Sequence, residues 1–205
     1  MNKKNLKYAG VTLDEAQRVL VMLHGRGANA DDILSLANYL HINDFALIAP
    51  EATNHTWYPY SFIAPIQQNE PWLTSALLLI HDVVNEINNA GIKNNNIYFL
   101  GFSQGACLTL EYIARNAAKF GGVAAFTGGL IGDKIYNENY RGDFKNTKIF
   151  IGTSDPDMHV PVSRVEATAQ LLKTMNADVK LKIYKNIGHT IIEDEINIAN
   201  QFIFN

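Results

Sequence analysis

Short apolar runs alternate along the chain with longer segments in which apolar residues recur at the spacing of a helix face. The short runs predict strands, and the longer segments between them predict helices. The predicted strands span 18–23, 45–49, 97–100, 122–126, 147–151 and 179–184, with a weaker first strand from Leu6 to Val11. The predicted helices span about 31–40, 72–90, 105–117, 163–175 and 191–203. This alternation predicts an α/β fold, a mostly parallel central sheet with helices on both faces.

The length and composition fit one folded unit. A chain of 205 residues, 47% of them hydrophobic, can bury one substantial core and does not need a second domain. Repeats, linkers and low-complexity segments are absent from the sequence, and no helical segments are left over to build a separate cap domain. We therefore predict one domain over residues 1–205, with an open site at the carboxyl ends of its strands.

The charge balance gives no electrostatic reason to expect a nucleic acid or an anionic membrane as partner. The net charge is −3, from 17 basic and 20 acidic residues. The first residues are basic but lack the apolar stretch of a signal peptide, and no run reaches the length of a membrane span. The single cysteine, Cys107, cannot form an internal disulfide and is interpreted as a small core residue. These features predict a cytoplasmic protein, either a monomer or a homodimer.

One strand-to-helix junction carries a candidate nucleophile. Gly101-Phe102-Ser103-Gln104-Gly105 has the G-x-S-x-G pattern of a nucleophile elbow, and it lies between a predicted strand and a predicted helix, as that motif requires. The two glycines allow a reversal so tight that larger side chains would collide with neighbouring backbone. The serine backbone is then strained and its hydroxyl is raised clear of the sheet.

A nucleophilic serine needs a base and an acid that orients the base, and after an elbow of this kind the chain order is serine, acid, histidine. Two histidines follow Ser103. His189 lies between the strand 179–184 and Thr190-x-x-Glu193, a capping box that predicts the start of the last helix. We predict His189 as the base and interpret His159 as a histidine of a loop or pocket rim.

Two aspartates, Asp155 and Asp157, compete for the role of the acid. Asp155 stands three residues after Gly152, close to the end of the strand 147–151, and is favoured because a strand end is a rigid reference whereas loops absorb insertions. Asp157 stands four residues before Pro161 and remains the alternative. Ser163-x-x-Glu166 predicts a capping box for the next helix.

An acyl-transfer site also needs donors for the oxyanion that forms on the substrate. The expected donors are the backbone N–H of Gln104, directly after the nucleophile, and that of Arg26, in the loop that follows the strand 18–23. The Arg26 side chain is expected either to meet an anionic group of the substrate or to point to solvent. His24 precedes the nucleophile in the chain and is interpreted as a structural residue that holds this loop.

These segments together resemble the phospholipase/carboxylesterase family, which includes the acyl-protein thioesterases and belongs to the α/β-hydrolase superfamily. The resemblance runs from about Tyr8 to Phe202, and its most specific part is Gly-Phe-Ser-Gln-Gly. The other matching segments are His24-Gly25-Arg26-Gly27, Gly152-x-x-Asp155-Pro156, Val160-Pro161 and Gly188-His189. Two features depart from the family pattern: an apolar residue is usual at the Arg26 position, and the loop between the aspartate and Val160 holds two extra residues.

The resemblance implies an α/β-hydrolase domain without a cap and a serine hydrolase that cleaves carboxylic esters or thioesters. It also places a tryptophan near Trp57, which predicts that Trp57 lines the substrate pocket; the aromatic loop 57–62 otherwise either forms an apolar wall or packs on the core. Phosphate-binding and dinucleotide-binding motifs are absent from the sequence, and no second histidine joins His189 and Glu193, so we expect neither cofactor nor metal. The alternative is a non-catalytic small-molecule receptor that keeps the hydrolase pocket.

Overall fold

The computed structural model describes residues 1–2 and 4–205, and within them seven strands form one twisted sheet. The strands are β1 (Leu6–Gly10), β2 (Arg18–Leu23), β3 (Phe45–Pro50), β4 (Ile97–Phe102), β5 (Gly122–Phe126), β6 (Lys148–Asp155) and β7 (Asp178–Lys185). Their order across the sheet is β1-β3-β2-β4-β5-β6-β7. β1 pairs antiparallel with β3, and every other neighbouring pair is parallel. The carboxyl ends of six strands therefore lie along one edge of the sheet.

Helices cover both faces of this sheet. They are α1 (Ala30–Leu34), α2 (Ile66–Asn69), α3 (Trp72–Asn89), α4 (Gln104–Arg115), α5 (Val162–Thr174) and α6 (Glu193–Phe202). Alternate residues of β2 show why two layers are needed, because Val19 and Val21 pack with α3 and α4 while Leu20 and Met22 pack with α1 and α6. A strand buried on both faces requires the continuous apolar runs seen in the sequence.

The predicted α/β architecture is confirmed, and the differences lie at the ends of elements. The first predicted helix divides into α1 and a 3₁₀ turn over Ser35–Tyr39. α5 begins at Val162 without the predicted serine cap, because Pro161 already has the backbone angle that precedes a helix. α6 begins at Glu193, and its first turn is capped by the Glu195 carboxylate, which accepts the Ile192 N–H at 3.0 Å.

The difference with the largest consequence is at β6. This strand continues four residues beyond the predicted end, to Asp155, because it pairs with β7 along the whole register from Lys148–Asp178 to Asp155–Lys185. Asp155 therefore belongs to the sheet rather than to the loop that follows it. In the part of the chain that the structure describes, no helix is long and apolar enough to cross a membrane.

Candidate active site

The elbow between β4 and α4 has the geometry that its sequence predicts. Ser103 has φ 54° and ψ −117°, a left-handed conformation that is strained for a residue with a side chain. A Cβ atom added at Gly101 would lie 2.5 Å from the Gly105 carbonyl oxygen, and one added at Gly105 would lie 2.1 Å from the Leu23 carbonyl oxygen. The Ser103 N–H donates to the Phe126 carbonyl at 3.0 Å, which ties the turn to β5.

His189 lies directly beside this serine, in the loop between β7 and α6. Its Nε2 is 2.8 Å from Ser103 Oγ, and its Nδ1 is 2.8 Å from Asp157 Oδ2. The arrangement requires Nδ1–H to donate to the carboxylate while Nε2 accepts the serine hydroxyl. The imidazole side chain is 19% exposed, so the contact is shielded yet open to the cleft. Serine, histidine and aspartate are thus aligned for proton transfer.

Asp157 occupies the position expected for Asp155, so the prediction that Asp155 orients the base is wrong. Asp155 ends β6 and forms an ion pair with Lys185 on the neighbouring strand. The segment 156–161, here called the acid loop, carries Asp157 back toward the imidazole. Asp157 stands four residues before Pro161, so counting backward from Pro161 is the signal that identifies the correct aspartate.

The Asp157 carboxylate is fixed by its own loop. One oxygen accepts the N–H groups of His159 and Val160 at 2.7 and 2.8 Å, and the other accepts from His189. Burial alone would raise the pKa of Asp157, but the His159 N–H, the His189 ring and the Val160 N–H outweigh it and hold that pKa below its ordinary value. A buried, ionised carboxylate is the partner that stabilises a charged imidazole.

The two residues predicted to supply the oxyanion donors both line the cleft above Ser103. Arg26 lies in the segment 24–29, here called the oxyanion loop, and Gln104 is the first residue of α4. Among the described residues, neither backbone N–H has a protein acceptor within hydrogen-bond distance. The amino end of α4 adds its positive dipole at the same place. Both N–H groups are therefore available to donate hydrogen bonds to an oxyanion that forms above Ser103.

His24 holds the oxyanion loop in place through hydrogen bonds of its buried ring, in the structural role expected from its sequence position. The ring is fully buried; Nε2 accepts the Ala52 N–H at 3.0 Å, so the proton lies on Nδ1, which donates to the Gly25 carbonyl at 2.7 Å. Burial lowers the pKa of His24. The residue is therefore a neutral structural histidine.

The cleft over the serine has a volume of about 410 Å³ and a largely apolar lining. Its apolar lining includes Tyr58, Pro59, Tyr60 and Phe62, which are here called the cleft wall, and also Val160. His159 stands at the rim, with its ring edge-on to that of His189 and 4.9 Å away. Cys107 lies in the floor, where burial raises the pKa of its thiol to about 12, so the thiol stays protonated.

Comparison with known proteins decides the family. A family model described as Phospholipase/Carboxylesterase matches residues 11–205. The chain belongs to the phospholipase/carboxylesterase family. A solved phospholipase/carboxylesterase from Dyadobacter fermentans DSM 18053 is 53% identical and superposes with a TM-score of 0.99, covering 100% of this chain and 98% of that one. The fold is the α/β-hydrolase fold that the resemblance implied.

Curated relatives of this family member are more distant. Acyl-protein thioesterase 1 of Saccharomyces cerevisiae is 26% identical over 212 residues, which cover 93% of each protein. A probable carboxylesterase SOBER1-like from Arabidopsis thaliana is 26% identical over 136 residues, which cover 66% of this chain. The chain spans about half the length of the Arabidopsis relative, 52% of it.

Trp57 does not have the place that the family resemblance implied. Its side chain is fully buried, its indole N–H donates to the His24 carbonyl at 2.9 Å, and its ring lies 4.9 Å from the His24 ring. The prediction that Trp57 lines the pocket is therefore wrong, because the cleft is lined by the residues that directly follow it. Trp57 supports the oxyanion loop instead.

The Arg26 side chain is exposed, as one of its two expectations allowed, but its guanidinium is not free. It donates to the backbone carbonyls of residues 58–60. Sequence reasoning missed this role because it joins residues more than thirty positions apart. Among the described residues, no group of three or more histidine, cysteine, aspartate or glutamate side chains is placed to hold a metal ion.

Proposed function

We propose that this family member is a serine hydrolase that cleaves carboxylic esters or thioesters through an acyl-enzyme on Ser103. The observation that carries the proposal is the continuous contact from Asp157 through His189 to Ser103, with both hydrogen bonds at 2.8 Å. Membership of the phospholipase/carboxylesterase family supports the same chemistry. Asp157 replaces Asp155 as the acid in this proposal.

The reaction follows from the positions of these groups. His189 Nε2 takes the hydroxyl proton as Ser103 Oγ attacks the carbonyl carbon, and the carbonyl oxygen becomes an oxyanion held by the N–H groups of Arg26 and Gln104. Collapse of this intermediate breaks the bond to the leaving group, and His189 gives its proton to the departing alcohol or thiol. Water, deprotonated by His189, then attacks the acyl-enzyme, and the carboxylic acid leaves with Ser103 restored.

The cleft indicates the size of the substrate. A volume of about 410 Å³ lies in the range of small-molecule sites, and the aromatic wall suits an apolar acyl or alcohol group. Relatives named acyl-protein thioesterase and carboxylesterase support both thioesters and oxygen esters. The cytoplasmic location and the choice between monomer and homodimer remain predictions from the sequence.

The decisive experiment compares the wild type with Ser103→Ala in multiple-turnover assays on chromogenic esters of increasing acyl length and on a long-chain acyl thioester. We expect Ser103→Ala to reduce kcat by several orders of magnitude, since loss of the nucleophile in a triad costs about 10⁶-fold. Circular dichroism should show an unchanged fold. A wild type that binds esters but releases no product beyond one equivalent would instead indicate a receptor, and undiminished turnover by the variant would reject the mechanism.

A further inference from the structure

The Arg26 guanidinium binds three consecutive carbonyl oxygens of the cleft wall. It donates to the carbonyls of Tyr58 and Pro59, each at 2.9 Å, and to that of Tyr60 at 2.8 Å. A guanidinium suits this task because it is planar, always charged and carries five N–H donors in a fixed fork. An apolar side chain at this position would remove all three bonds, and among the described residues the carbonyls of Pro59 and Tyr60 have no other protein donor. The segment 58–60 is thereby tied to the oxyanion loop.

Gln104 binds the same segment through its side chain. Its side-chain amide donates to the Tyr58 carbonyl at 2.8 Å, and its side-chain oxygen accepts the Trp57 N–H at 2.9 Å. Gln104 is almost completely buried, so water does not compete for these bonds. The Tyr58 carbonyl therefore accepts from both Arg26 and Gln104.

These are the same two residues whose backbone N–H groups are the proposed oxyanion donors. The direction of a backbone N–H is set by the chain segment around it. For Arg26 that segment is tied to residues 52–60 by the Gly27 N–H on the His55 carbonyl, at 2.8 Å, and by the Trp57 indole on the His24 carbonyl. The Arg26 guanidinium adds a further link to this segment, and this link comes from the side chain of the same residue whose backbone N–H is the proposed donor.

We propose that the Arg26 side chain is a positioning residue that fixes the direction of its own backbone N–H by binding the carbonyls of residues 58–60. The cleft wall and the oxyanion hole then form one hydrogen-bonded unit, joined at the Tyr58 carbonyl. This inference rests on the proposed function, since it concerns stabilisation of the oxyanion. Loss of the side chain leaves the N–H in place but less well aimed, so it slows the chemical step more than it weakens substrate binding.

The test compares Arg26→Met with the wild type and with a matched control, Arg18→Met. Met keeps the length of the aliphatic stem and removes every donor. Arg18 pairs with Asp44 and packs over Phe45 at the opposite end of β2, so its loss removes an arginine without reaching the cleft. On a short-chain chromogenic ester we expect Arg26→Met to lower kcat about 10–100-fold, less than the 100–1000-fold of a deleted donor. KM should stay within about threefold, and Arg18→Met should match the wild type in both constants.

Two further measurements distinguish positioning of the Arg26 N–H from a role in which the side chain only supports the cleft wall. A trifluoromethyl ketone, which forms a tetrahedral adduct with an oxyanion, should bind Arg26→Met more weakly by the factor lost in kcat/KM. Arg26→Lys keeps one cationic donor group and should recover part of the lost kcat. If Arg26→Met does not fold, Arg26→Lys decides, with an expected loss of at least about threefold relative to the wild type.

Wild-type kcat in a folded Arg26→Met, whether or not KM rises, would overturn the positioning role. So would an unchanged affinity for the trifluoromethyl ketone. This failure is distinct from failure of the proposed function. An active wild type with an inactive Ser103→Ala establishes the hydrolase, and an unaffected Arg26 variant beside it rejects only the positioning role.

Discussion

The elbow at Gly101–Gly105 and the acid loop at 156–161 meet at the same imidazole, but different forces hold them. The elbow is fixed by backbone sterics, since Cβ atoms at Gly101 or Gly105 would fall within 2.5 Å of neighbouring backbone oxygens. The acid loop is fixed by one carboxylate, which accepts two N–H groups of its own loop and the His189 ring. A larger residue at either glycine of the elbow would collide with backbone, whereas the acid loop depends on the contacts of one side chain.

This difference explains why one region could be predicted from the sequence and the other could not. The constraints on the elbow act between residues close in the chain, so a five-residue pattern reports them. The position of the acid depends on where β6 ends, and that end is set by pairing between Asp155 and Lys185, thirty positions apart. Local sequence does not report such a register.

The largest expected effect comes from Asp157, and it is measured against the neighbouring Asp155. Asp157→Asn should lower kcat about 10³–10⁴-fold, because an amide cannot stabilise the charged imidazole and favours the wrong tautomer. Asp155→Asn is the matched control. It removes only a surface ion pair with Lys185 and should leave kcat within about twofold. Steady-state kinetics on one ester measures both, and a larger loss in Asp155→Asn than in Asp157→Asn would show that the acid loop works in another arrangement.

Much of the remaining site was accessible from sequence for the same reason as the elbow. The alternation of apolar runs was sufficient to predict the sheet and its layers. Chain order left two histidines, and the place of His189 between the last strand and the last helix singled it out. Trp57 and Arg26 were misjudged because their partners are non-local. A buried tryptophan and a pocket tryptophan have the same local sequence, and only the contact with His24 distinguishes them. The hydrogen bonds from Arg26 to residues 58–60 correspond to no periodic pattern in the sequence, so the sequence alone does not predict them.

The second expected effect tests whether the elbow is as intolerant as its geometry indicates. A methyl group at Gly105 would lie 2.1 Å from the Leu23 carbonyl oxygen and 2.6 Å from that of His24, so β2 or α4 must move. We expect Gly105→Ala to lower the free energy of unfolding by about 3 kcal/mol or more. Activity should fall as well, because α4 carries the Gln104 N–H. Urea denaturation followed by circular dichroism measures the change.

Gly91→Ala provides the matched control for this substitution. Gly91 has φ 92°, but a Cβ there would meet nothing within 4 Å, so only backbone strain is added. That strain should cost about 1 kcal/mol and leave kcat unchanged. Equal destabilisation by the two substitutions would mean that the close contact at Gly105 relaxes easily and that the elbow is held by conformation alone.

The smallest expected effect concerns Glu195, in the first turn of α6, the helix that follows His189. Its carboxyl is fully buried against Gly152, where burial raises its pKa to about 7 from an ordinary 4.5. Between these values the folded chain binds more protons than the unfolded chain, so this group's contribution to stability falls as pH rises.

Glu195→Gln keeps an acceptor for the Ile192 N–H but does not titrate. The unfolding free energy of the wild type minus that of Glu195→Gln should therefore decrease, on the order of 2 kcal/mol, from about pH 5 to 7 and level off above. Urea denaturation across this range measures it, with exposed Glu193→Gln as control, and a difference that stays flat with pH would show that Glu195 is already ionised in the folded chain at pH 5.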